Sequence, residues 1–337
     1  MKNLILPAGY CSSMNIRETE IAIKEVKDFF ERELAKNLNL TRVSAPLFVF
    51  PESGLNDNLN GVERPVRFGI LEQNDKECEI VHSLAKWKRL ALKNYGFSSG
   101  EGLYTDMNAI RRDETTDNLH SIYVDQWDWE LVISKSDRTL DFLKETVNKI
   151  YSALLSTESH IQARFEGKTK AKLPEKITFI TTQELEDKYP GMTGKERENA
   201  IVKEYGAVFL MQIGGKLKSG EKHDGRAPDY DDWSLNGDIL LYYPLLDCAL
   251  EISSMGIRVD EESLVAQLTA ENCLDRLELA FQSSLKAGEL PLTIGGGLGQ
   301  SRICMFLLDK AHVGEVQSSV WPVEDISLCK EAGIALL

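Results

Sequence analysis

The chain has 337 residues, of which 42% are hydrophobic, and it carries a formal net charge of −14. A chain of this length and composition can bury a large core, whereas the acidic balance disfavours nonspecific binding to nucleic acid or to anionic membranes. No apolar run reaches the length of a membrane span. From the acidic charge and the absence of such a run, we expect neither nucleic acid nor a membrane as a partner.

The cysteines and histidines point away from disulfides and zinc. The six cysteines show no paired spacing, the five histidines are scattered, and the N-terminus lacks the apolar core of a signal peptide. Unpaired thiols without a secretory signal are typical of a reducing compartment. We therefore expect a cytoplasmic protein with reduced cysteines and no zinc site.

The first half of the chain predicts an alternation of helices and extended segments. Apolar residues at helical spacing mark the helices, and β-rich or alternating residues mark the strands. Helices are predicted over residues 16–38, 82–95 and 137–159. Extended segments are predicted over residues 40–50, in a strand that ends near Arg111, and over residues 121–130.

The second half begins with a polar segment, 165–173, that predicts a surface loop. Two strands around a helix, a hairpin, two helices and a final strand–turn–helix unit follow. The two strands cover residues 176–181 and 207–213, and the helix between them covers 195–205. The hairpin covers 238–256, the two helices 260–268 and 274–287, and the final unit 293–308. Since no internal repeat or long polar linker divides the chain, we expect a single domain over residues 1–337, with helices around an antiparallel sheet.

The final unit contains the glycine-rich segment Thr293-Ile-Gly-Gly-Gly-Leu-Gly-Gln-Ser-Arg302. It predicts a strand, a glycine turn and a helix that begins near an arginine. Such a turn lets a ligand lie against backbone N–H groups while the arginine supplies a fixed cation, which is typical of phosphate binding. The same glycines also suit a tight strand-to-helix connection without a ligand.

Two carboxylates are predicted to face each other in the hairpin. With a turn centred on Pro244 and Leu245, Asp238 lies directly opposite Glu251. Facing carboxylates repel each other unless a cation lies between them, which favours Mg²⁺. A different register would leave one of them in solvent at a strand end. Ser253 shares a face with Glu251 and offers a neutral oxygen nearby.

The alternating strand 121–130 has one face that begins apolar and ends polar. Gln126 and Asp128 lie on that face, where an amide and a carboxylate can receive the ammonium group of an amino acid. A solvated edge strand would show the same pattern.

The charged segment His223-Asp-Gly-Arg-Ala-Pro-Asp-Tyr-Asp-Asp-Trp233 also has two interpretations. It can be an ordinary solvated connection. It can instead be an ordered lid that offers Arg226 to phosphate and Asp231 to a metal or an amine.

Together these segments resemble the catalytic core of the class II aminoacyl-tRNA synthetases. Leu40-Thr-Arg-Val-Ser-Ala-Pro46 is similar to the first motif of that family, Ala109-Ile-Arg-Arg-Asp-Glu114 to the second, and Gly295-Gly-Gly-Leu-Gly-Gln-Ser-Arg302 to the third. The resemblance implies an α+β fold with a mixed, mainly antiparallel sheet flanked by helices. It also implies a homodimer, because the first motif builds the dimer interface in that family.

Within this superfamily the chain is most similar to the ammonia-dependent asparagine synthetases, the aspartate–ammonia ligase family. The resemblance spans nearly the whole chain. It is carried by Asp57-Asn-Leu-Asn-Gly61, Val81-His-Ser-Leu-Ala-Lys-Trp-Lys-Arg89, Gly100-Glu-Gly-Leu-Tyr104, Val124-Asp-Gln-Trp-Asp-Trp-Glu130, Arg226-Ala-Pro-Asp-Tyr-Asp-Asp-Trp233 and Ser253-Ser-Met-Gly-Ile-Arg258.

The resemblance implies a ligation in two steps. ATP activates the side-chain carboxylate of L-aspartate as an acyl-adenylate with loss of pyrophosphate, and ammonia then displaces AMP to give L-asparagine. Arg111 and Arg302 would clamp phosphate, Arg226 would meet pyrophosphate, and Asp238 and Glu251 would hold Mg²⁺.

The remaining implied roles concern the small substrates. The aspartate pocket would comprise Ser83, Lys88, Gln126, Asp128, Ser253 and Arg258. Asp57 would catch ammonium and accept its proton, with Asp231 as a second candidate, and Gly295 and Gly297 would lie against ATP.

One departure from the family pattern affects the arginine assignment. The family has proline where this chain has Arg112, and alignment on the following Asp113 and Glu114 selects Arg111 as the phosphate ligand.

Two alternatives remain within the superfamily. A tRNA-charging enzyme would be expected to carry a β-rich anticodon-binding module before the core and a less acidic charge balance. A non-catalytic sensor of aspartate or adenine nucleotide would be expected to lack a metal-binding acid or a phosphate-binding arginine, and all of these are present.

Overall fold

A mixed sheet of eight strands runs through the computed structural model, which describes residues 4–57 and 63–337. Numbered in chain order, the strands of the protein are β1 (Leu40–Arg42), β2 (Phe48–Val49), β3 (Arg67–Ile70), β4 (Lys76–Ile80), β5 (Gly102–Ile110), β6 (Tyr123–Val132), β7 (Thr178–Thr181), β8 (Ala207–Met211), β9 (Asp231–Tyr243), β10 (Cys248–Arg258) and β11 (Thr293–Gly299). The large sheet has the order β1-β5-β6-β11-β10-β9-β8-β7, and β2, β4 and β3 form a separate three-stranded sheet. The edge pairs β1–β5 and β7–β8 are parallel and the pairs between them are antiparallel. The predicted mixed, mainly antiparallel sheet is therefore confirmed.

Helices flank this sheet. They are α1 (Ile16–Leu38), α2 (Ala85–Asn94), α3 (Leu140–Arg164), α4 (Thr182–Lys188), α5 (Gly194–Tyr205), α6 (Glu261–Ala270), α7 (Ala280–Lys286), α8 (Gln300–Leu307) and α9 (Val323–Glu331). α1 begins at a capping box in which the Asn15 side chain and the Glu18 side chain each accept the other's backbone N–H. In the described part of the chain, no helix combines the length and the apolar character needed to cross a bilayer.

The main core lies between the centre of the sheet and helices α1 and α3. Phe30 of α1 packs on Trp127 of β6, with ring centroids 4.8 Å apart. Trp127 and Trp129 are both fully buried in this core, whereas Gln126 and Asp128, on the opposite face of β6, line a cavity. The predicted division of this strand into two faces is confirmed, and the sheet separates an apolar core from a polar cavity.

Some predicted elements have different limits. The helix expected over residues 274–287 is interrupted, because Leu279 is extended (φ −70°, ψ 146°) between a short 3₁₀ turn, Leu274–Glu278, and α7. The small sheet and helices α4 and α9 were not predicted, because each of these elements is shorter than the window of roughly 11 to 18 residues in which hydrophobic periodicity is recognised.

The predicted register of the hairpin is wrong. The turn contains four residues, 244–247, so Glu251 pairs with Leu240. A bulge between Glu251 and Ser253 shifts the register further, and Asp238 pairs with Ser254. Asp238 and Glu251 are therefore not opposite each other.

The predicted glycine turn is also wrong. Gly295 and Gly297 lie inside strand β11, and α8 begins directly after that strand, at Gln300. A Cβ atom at Gly297 would lie 2.5 Å from the Gln126 amide oxygen and 2.7 Å from an Asp128 carboxylate oxygen. The glycines are needed because side chains of the neighbouring strands cross above them.

Candidate functional site

A cavity of about 390 Å³ opens on the polar face of the sheet. Its walls come from β6, β10 and β11, from the start of α2 and of α8, and from the segment that precedes β9. The cavity brings together thirteen of the residues that the sequence singled out: Asp57, Ser83, Lys88, Arg111, Gln126, Asp128, Arg226, Asp231, Glu251, Ser253, Arg258, Gly297 and Arg302. Gly295 and Asp238 are not among its lining residues.

A buried lysine lies at the floor of the cavity. Lys88 of α2 donates to the backbone carbonyl of Gly296 at 2.9 Å, and its ammonium nitrogen lies 3.4 Å from the Asp128 carboxylate and 3.8 Å from that of Glu130. Burial lowers the pKa of the Lys88 ammonium, although both carboxylates oppose the change. Asp128 also accepts the backbone N–H of Leu84 at the start of α2, so strand β6 and α2 fix each other at this point.

Arg258, at the end of β10, is held by two carboxylates. Its Nε and one terminal nitrogen donate to Glu130, at 3.0 Å and 2.7 Å, and its other terminal nitrogen donates to Asp231. Burial alone would lower the pKa of the Arg258 guanidinium, but Glu130 and Asp231 outweigh burial and raise it. Arg258 is therefore a permanent cation beside the cavity.

Arg226 pairs with Asp238, one of the two carboxylates that were predicted to hold a metal. It donates to an Asp238 oxygen at 2.6 Å and to the Ser254 hydroxyl. Burial raises the pKa of the Asp238 carboxyl to about 7; Arg226 opposes this increase and Glu251 adds to it. Asp238 and Glu251 thus influence each other electrostatically although they are not cross-strand neighbours.

The residues present fit a phosphate-bound Mg²⁺ better than an all-protein metal site. Within the described residues, no group of three or more His, Cys, Asp or Glu side chains is placed to hold a metal. Mg²⁺ typically binds one or two protein carboxylates together with nucleotide phosphates. Glu251 lines the cavity and can supply one of these carboxylates, and Asp238, which pairs with Arg226 outside the lining, would supply the second.

Two arginines lie toward the other end of β11. Arg302 of α8 donates to the backbone carbonyls of Glu251 at 2.8 Å and Leu119 at 3.3 Å. Arg111 lines the cavity, and its buried Nε has no hydrogen-bond partner in the described part of the chain. Arg112 is exposed and lies outside the cavity, so the geometry favours Arg111 for a ligand.

Asp57 also lines the cavity and is 3% exposed. Its backbone carbonyl lies 3.0 Å from Nδ1 of His82, and its N–H donates to the Asn56 side chain. The next four residues of this family-like segment, Asn58 to Gly61, lie outside the described residues. Burial, reinforced by the Asp57 carboxylate, raises the pKa of the nearby Tyr230 hydroxyl well above its ordinary value.

The charged segment before β9 is ordered rather than a solvated connection. Asp229 is 1% exposed and pairs with the buried Lys86 at 2.9 Å. Gln282 of α7 donates to the same carboxylate at 2.7 Å, and Gln267 of α6 donates to the backbone carbonyls of Pro228 and Asp231. These bonds fix the positions of Arg226 and Asp231 at the cavity.

The remaining polar groups of the pocket include two serines. The Ser253 hydroxyl is buried and has no partner among the described residues, and the Ser83 hydroxyl accepts the backbone N–H of Ala85. Ser253 therefore retains hydrogen-bonding capacity for a ligand.

Sequence reasoning did not single out Glu130 and Tyr230. Glu130 shares the face of β6 that carries Gln126 and Asp128, so the alternation contained the signal. Tyr230 lies in an irregular segment without periodicity, and nothing in the sequence pattern points to it.

The chain is similar over its whole length to known proteins. A sequence model of the aspartate–ammonia ligase family matches residues 17–333. A protein of Clostridium perfringens named aspartate–ammonia ligase is 64% identical over 337 residues, which cover all of both chains. One of Lactobacillus johnsonii with the same name is 59% identical over 335 residues and 99% of each chain.

Solved structures show the same fold at low sequence identity. The asparaginyl-tRNA synthetase of Entamoeba histolytica superposes with a TM-score of 0.63 and 13% identity, over 90% of this chain and 67% of that one. The asparaginyl-tRNA synthetase of Pyrococcus horikoshii complexed with asparaginyl-adenylate gives 0.63 and 15%, over 91% and 71%. The chain therefore has the fold of a class II synthetase catalytic core.

Proposed function

Because the chain belongs to the aspartate–ammonia ligase family, we propose that it uses ATP to join ammonia to the side-chain carboxylate of L-aspartate. The products are L-asparagine, AMP and pyrophosphate, and the intermediate is an aspartyl-adenylate. The relatives' names support the overall reaction, and the cavity supports the assignment of residues.

The observation that carries this assignment is the order of side chains along β11. Glu130 pairs with Gly295, Asp128 with Gly297 and Gln126 with Gly299, after which α8 supplies Arg302. At about 3.3 Å per residue, four residues of strand span roughly 13 Å. This length accommodates an aspartate bound over the first glycines with its activated carboxylate directed toward an α-phosphate near the arginines.

In the first step, positioning and charge do most of the work. The carboxylate and the triphosphate are both anions, so cations must hold them within bonding distance. Lys88 and Arg258 bind carboxylate groups of aspartate, while Gln126 and Asp128 accept hydrogen bonds from its α-ammonium group. Ser83 and Ser253 complete the pocket with hydroxyl groups.

Arg111, Arg302 and Arg226 bind the phosphates. Arg226 already holds Asp238, and the outgoing pyrophosphate offers the same guanidinium a second anion. Mg²⁺, when bound with ATP, neutralises phosphate charge, and Asp238 and Glu251 would hold it. Gly297 leaves room above the strand for the Gln126 and Asp128 side chains, which receive the substrate. The space above Gly295 is filled by the Glu130 and Arg258 side chains. Gly295 is therefore not proposed as an ATP ligand.

In the second step, a carboxylate receives ammonium. Asp57 attracts the cation and accepts a proton, which leaves a neutral amine that attacks the activated carbonyl. Asp231 lies between Arg258 and Arg226, and these two cations make it a weaker candidate for the same task.

Two further properties belong to this proposal. The first-motif segment, residues 40–50, is largely unburied in one chain, and Leu47 and Phe48 are 48% and 43% exposed. This exposure supports a homodimer through that segment. The six cysteines form no disulfide in the described residues, which supports a cytoplasmic location.

A direct assay tests the function. Purified protein mixed with ATP, Mg²⁺, aspartate and ammonium should release asparagine, AMP and pyrophosphate in equal amounts without RNA. Mixtures that lack aspartate or ammonium serve as controls. Transfer of aspartate to tRNA, or nucleotide binding without asparagine formation, would instead establish one of the alternative functions.

A further inference from the structure

A completely buried carboxylate lies beneath the proposed aspartate pocket, and the proposed reaction steps do not use it. Glu130 of β6 is 0% exposed. It accepts hydrogen bonds from Nε and one terminal nitrogen of Arg258, and one from the Thr293 hydroxyl at 2.7 Å. Burial alone would raise the pKa of this carboxyl, but Arg258, Lys88 and Thr293 together lower it, so Glu130 is a buried anion.

The sheet is built so that Glu130 can reach Arg258. The two side chains come from β6 and β10, which lie on opposite sides of β11. The β11 residue paired with Glu130 is Gly295, where a Cβ atom would lie 1.9 Å from a Glu130 oxygen and 2.7 Å from an Arg258 nitrogen. Any larger residue at position 295 would separate the pair, so this glycine serves the contact between Glu130 and Arg258.

Glu130 also determines which donors of Arg258 remain for a substrate. A guanidinium group has five N–H donors in a fixed plane. Glu130 takes the Nε donor and one donor of a terminal nitrogen, and Asp231 takes one donor of the other terminal nitrogen. Within the described residues, one N–H on each terminal nitrogen has no acceptor, and Arg258 lines the cavity.

We propose that Glu130 is a positioning residue, which holds the Arg258 guanidinium and the Lys88 ammonium where they receive the carboxylate groups of aspartate. This inference rests on the proposed function only in the identity of the ligand. Glu130 does not touch the substrate. It acts through Arg258, which it orients, and through Lys88, whose positive charge it stabilises at 3.8 Å.

Glu130→Gln tests the proposal, because the amide keeps the shape and removes the charge. Equilibrium binding is measured by calorimetry, with aspartate alone and with ATP alone. Losing charge-assisted hydrogen bonds should weaken aspartate binding by roughly 10- to 100-fold and leave ATP binding within about twofold. Thr293→Val is the matched control, since it removes one bond to Glu130 and keeps the charge; aspartate binding should change by less than about threefold.

A pH series separates positioning from a merely structural role. Lys88 faces Asp128 and Glu130 of β6, Arg258 of β10 and the Gly296 carbonyl of β11. Removing the Glu130 charge takes away one of two anions that keep Lys88 protonated. Aspartate binding to Glu130→Gln should therefore decline at a lower pH than binding to the unaltered protein.

A second variant covers the case in which Glu130→Gln does not fold. Glu130→Asp keeps the charge and shortens the side chain. It should weaken aspartate binding measurably and leave the affinity for ATP unchanged. Unchanged aspartate binding in either folded variant, or equal losses for aspartate and ATP, would overturn the proposal. Absence of asparagine formation by the unaltered protein would refute the proposed function and leave this binding comparison valid.

Discussion

Opposite charges alternate among the side chains around the cavity. Lys88, Glu130, Arg258, Asp231 and Arg226 follow one another, and each cation contacts at least one carboxylate. Isolated buried charges are very costly, whereas alternating ones satisfy each other. The protein therefore keeps several cations ready for anionic substrates without leaving any of them unpaired.

Two adjacent arginines provide the sharpest test at this scale. Arg111→Ala should reduce aspartate-dependent exchange of pyrophosphate into ATP by roughly 100-fold, because a charge-assisted phosphate contact within the cavity is lost. Arg112→Ala should retain activity within about twofold, since Arg112 is exposed and outside the cavity. The reverse ranking would assign the phosphate contact to Arg112.

Asp57 separates the two steps of the reaction. Asp57→Asn should leave pyrophosphate exchange near normal and reduce asparagine formation by roughly 100-fold, the loss typical of a positioned base. Raising the pH should partly restore asparagine formation, because more of the ammonia is then unprotonated. Asp231→Asn provides the comparison, and equal losses of both activities in Asp57→Asn would place Asp57 in aspartate binding.

Among the strands, the sequence predicted the faces on which side chains lie, but it did not predict the register that pairs one strand with the next. The alternation of residues 121–130 correctly separated the core tryptophans from Gln126 and Asp128, because side-chain direction follows directly from strand geometry. The hairpin register depended on a four-residue turn and a bulge, which hydrophobic alternation does not encode.

The glycine segment shows the same limit. Glycines in sequence most often indicate a turn, but those of β11 are extended and make room for side chains that cross from neighbouring strands. That requirement is set by residues distant in sequence, such as Glu130 and Met255. It could be recognised only once the order of the strands was known.

Helix α1 is connected to the cavity wall by a partly buried ion pair. Lys27 donates to Asp125 at 3.0 Å, and the other Asp125 oxygen accepts from the Ser301 backbone N–H and from Gln317. Asp125 thereby links α1, β6 and the start of α8, which carries Arg302.

Lys27→Met should lower the free energy of unfolding by about 2 kcal/mol, because it leaves a buried carboxylate without its cation. Lys24→Met is the control on the same helix, because the ion pair of Lys24 with Asp28 is exposed. The free energy of unfolding, measured in urea, should change by less than about 0.5 kcal/mol in this variant. Equal effects of the two substitutions would show that the Lys27 pair contributes no more than a surface pair.

At the scale of the whole molecule, one edge of the large sheet carries the expected subunit contact. β1 is an edge strand, and the small sheet, whose strand β2 follows β1 in the chain, exposes Phe48 and Phe68, whose rings pack edge to face 5.1 Å apart. Aromatic groups exposed together are typical of an interface rather than of a monomer surface.

Sedimentation should give the mass of a dimer at micromolar concentration, and Phe48→Asp should shift it toward the monomer. Met192→Asp is the matched control: Met192 is 41% exposed, similar to Phe48 at 43%, and follows α4, which packs against the other edge strand, β7. A monomeric mass for the unaltered protein would contradict the predicted homodimer.

Activation of the side-chain carboxylate of aspartate as an acyl-adenylate transfers one of its oxygen atoms to AMP, so isotope labelling follows this step. Aspartate labelled with ¹⁸O in the side-chain carboxylate is incubated with unlabelled ATP, Mg²⁺ and ammonium, and the products are analysed by mass spectrometry. We expect one ¹⁸O atom in each AMP and the other in the asparagine amide carbonyl. Unlabelled AMP, or ¹⁸O in pyrophosphate, would contradict an aspartyl-adenylate intermediate.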